Sequence, residues 1–424
     1  MPTMAEVINQ GAGRISTLRQ GLNLELAFVQ RTNKQGKQST AAQMKDYLTG
    51  LGTKIQGVVA HAGMEGVKQQ LIESFKQIGW DLEHNSPAGD LPSLVSLEKW
   101  LTDLVKKYFD AEQQNHEVKK STEEVTEAEL QDFTLACERI WWLDDGRCEP
   151  GRDYQLQPQR YKRSSWDKGD EAPLPLFKWV KDEVLQRETV KHFISLLDNY
   201  VAQTGTEETY TAEEHREMNA FLDACCRTRV VRYLGLYLQR KGRIRSQTEL
   251  KSFLHDLWFK LYRRETHNDS SGFEHVFVGE VKEGKVIGMH NWLQIYTEEA
   301  RGELNYLGYI RPRRRATNPL KHDIADEQML SVQFVWKGHL KPVGTSFIGP
   351  SPEFELALYT LCFLFGEREN NLRLGTYRAT IKCFHLGKNL GTSYPEEAPM
   401  DQDEAATRIQ SKERARIVRK HYAK

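Results

Sequence analysis

Residues 272–296 read GFEHVFVGEVKEGKVIGMHNWLQIY, and the fold class turns on this stretch. Upstream of it, apolar residues recur at helical spacing. Here the period changes: Val, Phe, Ile and Trp crowd into short runs, as in strands. The reading is a strand over Glu274–Val281, a turn at Lys282-Glu283-Gly284-Lys285 and a second strand over Val286–Tyr296. Leu330–Trp336 (LSVQFVW) reads as a third. One helix interrupts the strands. Ser351 is a natural N-cap, Pro352 suits the first helical position, and Gly366 ends the apolar run. Leu372–Phe384 and a short strand at Leu390–Tyr394 follow. Helices first and antiparallel strands later spell an α+β fold.

Working outward, residues 1–111 read as a helical region. Val67, Leu71, Ile72, Phe75, Ile78 and Trp80 keep near-helical spacing, as do Leu94, Leu97, Trp100, Leu101, Leu104, Val105 and Phe109. No set of chemically active residues stands out there, and packing or partner contact is the plainer role. Residues 112–127 are polar and read as a linker. A domain follows over 128–398, opening with Phe133, Leu135, Ile140, Trp141 and Trp142. Pro150–Pro175 reads as a long loop, and helices are expected over Leu176–Leu185, Val190–Val201 and Glu214–Leu238. Residues 399–424 form a tail.

The chain has 424 residues, enough for two or three domains of roughly 150 residues each. Lys+Arg and Asp+Glu both number 59, so bulk charge gives no reason to expect nucleic-acid wrapping. Neutrality hides an asymmetry, because Glu396–Glu404 is acidic and Ala405–Lys424 is basic. No apolar run reaches the ~18 residues of a membrane span, and Leu356–Phe365 reads as a buried helix. The N-terminus lacks a signal-peptide pattern. The six cysteines show no CxxC spacing and no zinc-like pairing with His, and Cys225 and Cys226 adjoin in a helical pattern. These features point to an intracellular protein, cytoplasmic or nuclear, with reduced thiols.

His275 and His290 are the candidates for chemistry. A turn centred on Glu283-Gly284 sets His290 opposite Phe277, on the same sheet face as His275. The imidazoles are then diagonal neighbours, roughly 7–8 Å apart at the backbone. A one-residue slip would separate them onto opposite faces. Imidazole titrates near neutrality, so one can accept a proton while the other donates. That suits RNA transesterification, in which a base activates the 2′-OH and an acid protonates the departing 5′-oxygen. The phosphorane calls for a fixed cation. The chain has 13 histidines, so most must be structural or merely exposed.

The segments GFEHVFVGE (Gly272–Glu280), GMHNW (Gly288–Trp292), VQFVWKGHLKPVGTSFIGPSPEFELALY (Val332–Tyr359) and GTSYP (Gly391–Pro395) resemble the EndoU family of uridylate-specific endoribonucleases. Trp142-Leu143-Asp144 and Pro150–Tyr154 resemble the start of that domain. The match spans roughly residues 128–398 in the family's order, far beyond a lone short pattern. The resemblance implies that His275 and His290 are catalytic, with His290 as base and His275 as acid. Its Lys pattern selects Lys341 and Thr345 and leaves Lys337 as an ordinary strand lysine. Even spacing would set Lys341 and Thr345 on one strand face, although Pro342 signals irregularity. The resemblance implies uracil recognition by Thr345, and substrate contacts for Thr392 and Tyr394. Glu274 and Glu280 match acidic positions that orient the histidines or hold a divalent ion, with Mn²⁺ the implied metal. The implied function is cleavage of single-stranded RNA at uridylates, leaving 2′,3′-cyclic phosphate and 5′-OH ends.

Two basic segments lie outside these motifs. Ile310–Arg315 (IRPRRR) offers Arg313 and Arg314 to phosphates flanking the scissile bond. In the tail, Ile409, Gln410, Arg414 and Arg419 fit the calmodulin-binding IQ pattern, with Ala415 where Gly is usual. A basic amphipathic helix of this kind suits the acidic lobes of calmodulin or another EF-hand protein. The rival to an enzyme is a catalytically silent RNA-binding or calmodulin-linked adaptor, against which the intact His275, His290 and Lys341 argue.

Overall fold

The computed structural model describes residues 123–162, 166–167, 169–310, 328–375 and 377–397, all within the compact unit Lys119–Pro399. The N-terminal region, Arg313, Arg314 and the tail residues Ile409, Gln410, Arg414 and Arg419 lie outside the described residues. Capping starts the helical half. Thr126 and Glu129 exchange backbone hydrogen bonds at 3.3 and 2.8 Å, a reciprocal cap on α1 (Glu127–Gln131). Asp132 caps α2 (Phe133–Leu143), and a buried Arg139–Glu129 pair at 2.8 Å ties the two helices.

Several expected boundaries move. The loop over 150–175 contains β1 (Tyr154–Leu156) and β2 (Tyr161–Lys162). The helix expected over 176–185 is mostly β3 (Phe177–Val180), antiparallel to β1, with a short α3 (Asp182–Leu185) after it. Helix α4 (Glu188–Ser195) stops before the expected Val201. The stretch read as one helix over 214–238 is two, α5 (Ala212–Cys226) and α6 (Arg229–Arg240). Thr228 breaks it: its hydroxyl accepts from Val231 N–H, and local capping wins over continuous apolar spacing. Helix α7 (Leu250–Trp258) completes this half.

The larger correction falls on the stretch that decided the fold class. Glu274–Val278 is a π-helical turn and not a strand, and only β4 (Glu280–Lys282) and β5 (Lys285–Ile287) make the hairpin. Its turn is where the sequence places it. Glu283 and Gly284 have φ of 50° and 73°, and Val281 pairs with Val286, as in a tight hairpin with two left-handed central residues. The second expected strand gives way to α8 (Trp292–Ala300), capped by Asn291, whose Oδ1 accepts from Leu293 and Gln294 N–H. The reason is burial on every side. Phe277 packs against Phe193, Phe273 and Trp258, and all five residues of the π-turn are buried. A run buried all round carries no alternation by which helix and strand can be told apart.

The strands β6 (Leu304–Ile310), β7 (Met329–Trp336) and β8 (His339–Phe347) form a six-stranded sheet in the order β2-β6-β7-β8-β5-β4. It is mixed and not wholly antiparallel, because β2 runs parallel to β6 and β5 to β8. Helix α9 (Pro352–Phe365), capped by Ser351, is buried over Pro352–Cys362. Strands β9 (Glu369–Leu374), β10 (Tyr377–Leu386) and β11 (Asn389–Glu397) form a second, antiparallel sheet. The unit is therefore α+β, as the sequence implies. No helix among the described residues is long and apolar enough to cross a membrane.

Candidate active site

His275 sits in the π-turn, a distortion that proteins commonly place at functional sites. Its Nδ1 is hydrogen-bonded to Glu280 Oε2. The same oxygen lies 3.4 Å from Arg264 Nε, while Arg264 Nη2 donates to Gly391 O at 2.7 Å. Burial lowers the His275 pKa, and Glu280 opposes that. Burial alone would raise Glu280, but the hydrogen bond and charge of His275, with Arg264 behind, hold it below the usual carboxylate range.

His290 arrives by a different route. Gly288 and Met289 both take left-handed backbone, at φ 63° and 55°, and fold the chain onto the π-turn. Met289 N–H donates to His275 O at 3.1 Å and His290 N–H to Val276 O at 2.8 Å. A Cβ on Gly288 would lie 1.8 Å from His275 O, so only glycine allows this approach. Met289 at positive φ is the costlier feature, a local strain of the kind that clusters at functional sites. His290 Nδ1 donates to Thr345 O at 3.0 Å. Burial first, then the Lys341 charge, pull its pKa well below the ordinary histidine value.

Lys341 and Thr345 come from β8. Phe334 of β7 pairs with Lys341, yet Val332 pairs with Gly344, so β8 carries an extra residue at Pro342-Val343. This bulge resets the alternation, and the even-spacing argument for a shared face fails. Lys341 is buried, donates from Nζ to Gly288 O at 2.5 Å, and desolvation pushes its pKa down to about 7. Thr345 is also buried, and its Oγ1 lies 2.8 Å from Ser331 Oγ.

Strand β11 closes the arrangement. The Tyr394 ring stacks on His290 with centroids 4.5 Å apart and an interplanar angle of 14°. On the same sheet, Phe384 is stacked with Tyr394 at 6.4 Å. Thr392 Oγ1 is buried with no hydrogen-bond partner among the described residues. The structure thus brings His275, His290, Lys341, Thr345 and Tyr394 into one connected network.

The acidic pair does not fit a metal. Glu280 is engaged by His275 and Arg264. Glu274 Oε2 accepts from Ser271 N–H at 3.2 Å, and burial together with the Glu280 and Glu208 charges pushes its pKa up to about 10. A neutral carboxyl and a carboxylate already paired are a poor donor set for Mn²⁺, which wants several oxygen ligands. Among the described residues no group of three or more His, Cys, Asp or Glu is arranged to hold an ion. Of the two roles open to Glu280, orienting His275 is the one its contacts serve.

Sequence reasoning passed over Arg264, Ser331 and the Asn291–Glu355 contact, in which Asn291 Nδ2 donates to the buried Glu355 carboxyl. Asn291 did carry a signal, as a capping residue ahead of an apolar run. Arg264 and Ser331 are ordinary residue types at ordinary strand and loop positions, and only tertiary pairing distinguishes them.

Two imidazoles with different Nδ1 partners lie beside a buried lysine on an α+β scaffold, an arrangement able to accept and donate protons. The family model described as Endoribonuclease XendoU matches residues 132–395, and the chain belongs to that family of endoribonucleases. It is 43% identical over 269 residues to poly(U)-specific endoribonuclease-B of Xenopus laevis, covering 60% of this chain and 90% of that protein. Against the uridylate-specific endoribonuclease of Homo sapiens, identity is 37% over 287 residues, with 67% of each chain covered. Among solved structures, that of XendoU, titled a splicing independent snoRNA processing endoribonuclease, aligns with a TM-score of 0.55 at 40% identity. It covers 65% of this chain and 99% of that one.

Proposed function

We propose that this chain cleaves single-stranded RNA at uridylates by attack of the 2′-OH on the adjacent phosphorus, leaving a 2′,3′-cyclic phosphate and a 5′-OH. The observation that carries the reading is the difference between the two Nδ1 partners. Thr345 O can only accept, so His290 carries its proton on Nδ1 and leaves Nε2 with a free lone pair. Burial and Lys341 keep that imidazole neutral. His290 is the base that takes the 2′-OH proton.

Glu280 also holds Nδ1–H of its histidine, but it is a carboxylate and supports the imidazolium. His275 is therefore the acid that protonates the departing 5′-oxygen. Burial lowers both pKa values, His290 the further of the two, and the carboxylate on His275 alone is what separates the acid from the base. Lys341 supplies positive charge where the phosphorane gathers negative charge. Thr345 reads the base, Thr392 contacts the substrate, and Tyr394 packs against the base or ribose.

The test uses a DNA oligonucleotide with one ribouridine and its all-deoxy twin, each with and without Mn²⁺. Cleavage of the ribo form alone, with a cyclic phosphate product, is expected. Cleavage of both would mean attack by water and would remove the histidine roles. A Mn²⁺ requirement with an unchanged product would place the ion on RNA phosphates. The proposal extends to calmodulin binding by Ile409, Gln410, Arg414 and Arg419, supported by sequence spacing alone. Full-length chain that fails to bind calmodulin, with and without Ca²⁺, would end that part.

A further inference from the structure

We infer that Ser331 sets the base preference of the site by orienting the Thr345 hydroxyl, an inference that rests on reading Thr345 as a base-recognising residue. The β7–β8 register places Ser331 directly opposite Thr345. Their hydroxyl oxygens are 2.8 Å apart, a good O–H···O distance, so one donates to the other. Thr345 is held at its other polar end as well, where its carbonyl accepts from His290 Nδ1–H. The bulge at Pro342-Val343 lies between Thr345 and Lys341. A change at Ser331 therefore acts on the hydroxyl and leaves the Lys341 tether to Gly288 O in place.

A hydroxyl has one proton and two lone pairs. Uracil presents O4 as an acceptor and N3–H as a donor, while cytosine reverses both, with an amino group at C4 and a bare N3. A freely turning hydroxyl meets either base. When Ser331 donates to Thr345, the Thr345 proton is left to offer outward, to a carbonyl that uracil has and cytosine lacks. The 2.8 Å contact allows either hydroxyl to donate, and we take Ser331 as the donor; with the opposite polarity Thr345 would present a lone pair and the preference would turn towards cytosine. Ser331 is a positioning residue, acting through Thr345.

The experiment measures kcat/KM of the full chain on two oligodeoxynucleotides, one carrying a single ribouridine and the other a single ribocytidine. In S331A the ratio of U to C cleavage falls about tenfold, the discrimination expected from one biased hydrogen bond. The loss appears in KM for uridine, with kcat nearly kept, because the Thr345 carbonyl still holds His290. S331T restores the ratio. S331C, which keeps the volume with a weak hydrogen-bonding group, behaves like S331A and serves if the alanine variant folds poorly. An unchanged ratio in S331A and S331C, or equal loss on both substrates, overturns the inference. A wild-type chain with no preference between U and C, or T345A with an unaltered ratio, instead overturns the reading of Thr345 on which it stands.

Discussion

The two imidazole arms of the site are built from opposite materials. On one, His275 rides a distorted helical turn packed among aromatic rings, and its Nδ1 partner is a carboxylate side chain, Glu280. On the other, His290 hangs from left-handed backbone at Gly288 and Met289, and its partner is the main-chain carbonyl of Thr345. A carboxylate changes the energy of the charged ring, whereas a carbonyl chiefly fixes the tautomer. On the reading proposed above, one scaffold thereby obtains an acid and a base from the same residue type. Either arm can be broken by itself, and the losses should differ in kind.

Removing a ring has the largest effect. H275A and H290A should each lower kcat by about 10²–10⁴-fold, the usual worth of a positioned proton transfer, with RNA binding retained in a gel-shift assay. If either variant cleaves near the wild-type rate, that arm is not part of the chemistry. K341M comes next, with a loss of about 10²–10³-fold as expected for removing a charge aimed at the transition state. The same variant should be more stable than the parent. Lys341 falls from 10.5 to about 7 on folding, so between those pH values the unfolded chain binds more protons. Stability therefore rises with pH across that window, and the full cost of the buried ammonium is felt below about pH 7. K341M relieves that cost, by about 1–4 kcal/mol near pH 6, with the gap closing towards pH 10. Thermal melts at the two pH values check this, and equal stability at pH 6 would show that Lys341 is solvated in the native state.

E280Q attacks the carboxylate arm alone. It keeps the shape, removes the counter-charge of the His275 imidazolium and should lower kcat by about 10–100-fold with little change in KM. No side-chain substitution can do the same to the other arm, because a backbone carbonyl cannot be mutated away. Wild-type kcat in E280Q would reduce Glu280 to a packing role and remove the asymmetry between the arms.

How much of this was legible in the sequence depended on burial. The hairpin turn at Glu283-Gly284 and the helix between Ser351 and Gly366 were readable, because turn and cap chemistry is local. The π-turn and α8 were not. All five residues of the π-turn and six of the nine in α8 are buried, which blurs the alternation that separates strand from helix. His275 and His290 were expected to meet across a hairpin. They are joined instead through Gly288 and Met289, where a backbone crossing that only glycine permits does the work of a strand pair. Spacing misled at Lys341 and Thr345 because a bulge cannot be counted from a sequence, although Pro342 marked the place. Ser331 was invisible, since a lone serine in a strand means nothing until its partner across the sheet is known.

The smallest expected effect tests whether the lysine works with the base or merely lies beside it. At pH 7 a group with a pKa of about 7 is near half protonation, so Lys341 is divided between ammonium and amine in the free protein. A phosphate brought against Nζ favours the charged form and raises that pKa. RNA binding near neutral pH should therefore take up roughly half a proton per site, a number that shrinks as the pH is lowered. Calorimetric titration of an uncleavable 2′-deoxyuridine oligonucleotide, repeated in buffers of different ionisation enthalpy, measures this directly. K341M should abolish the uptake and E280Q should leave it intact. Uptake that survives in K341M would come from another group: at His275, whose pKa burial lowers, it would fit the acid, whereas at His290 it would leave a charged ring that could not serve as the base.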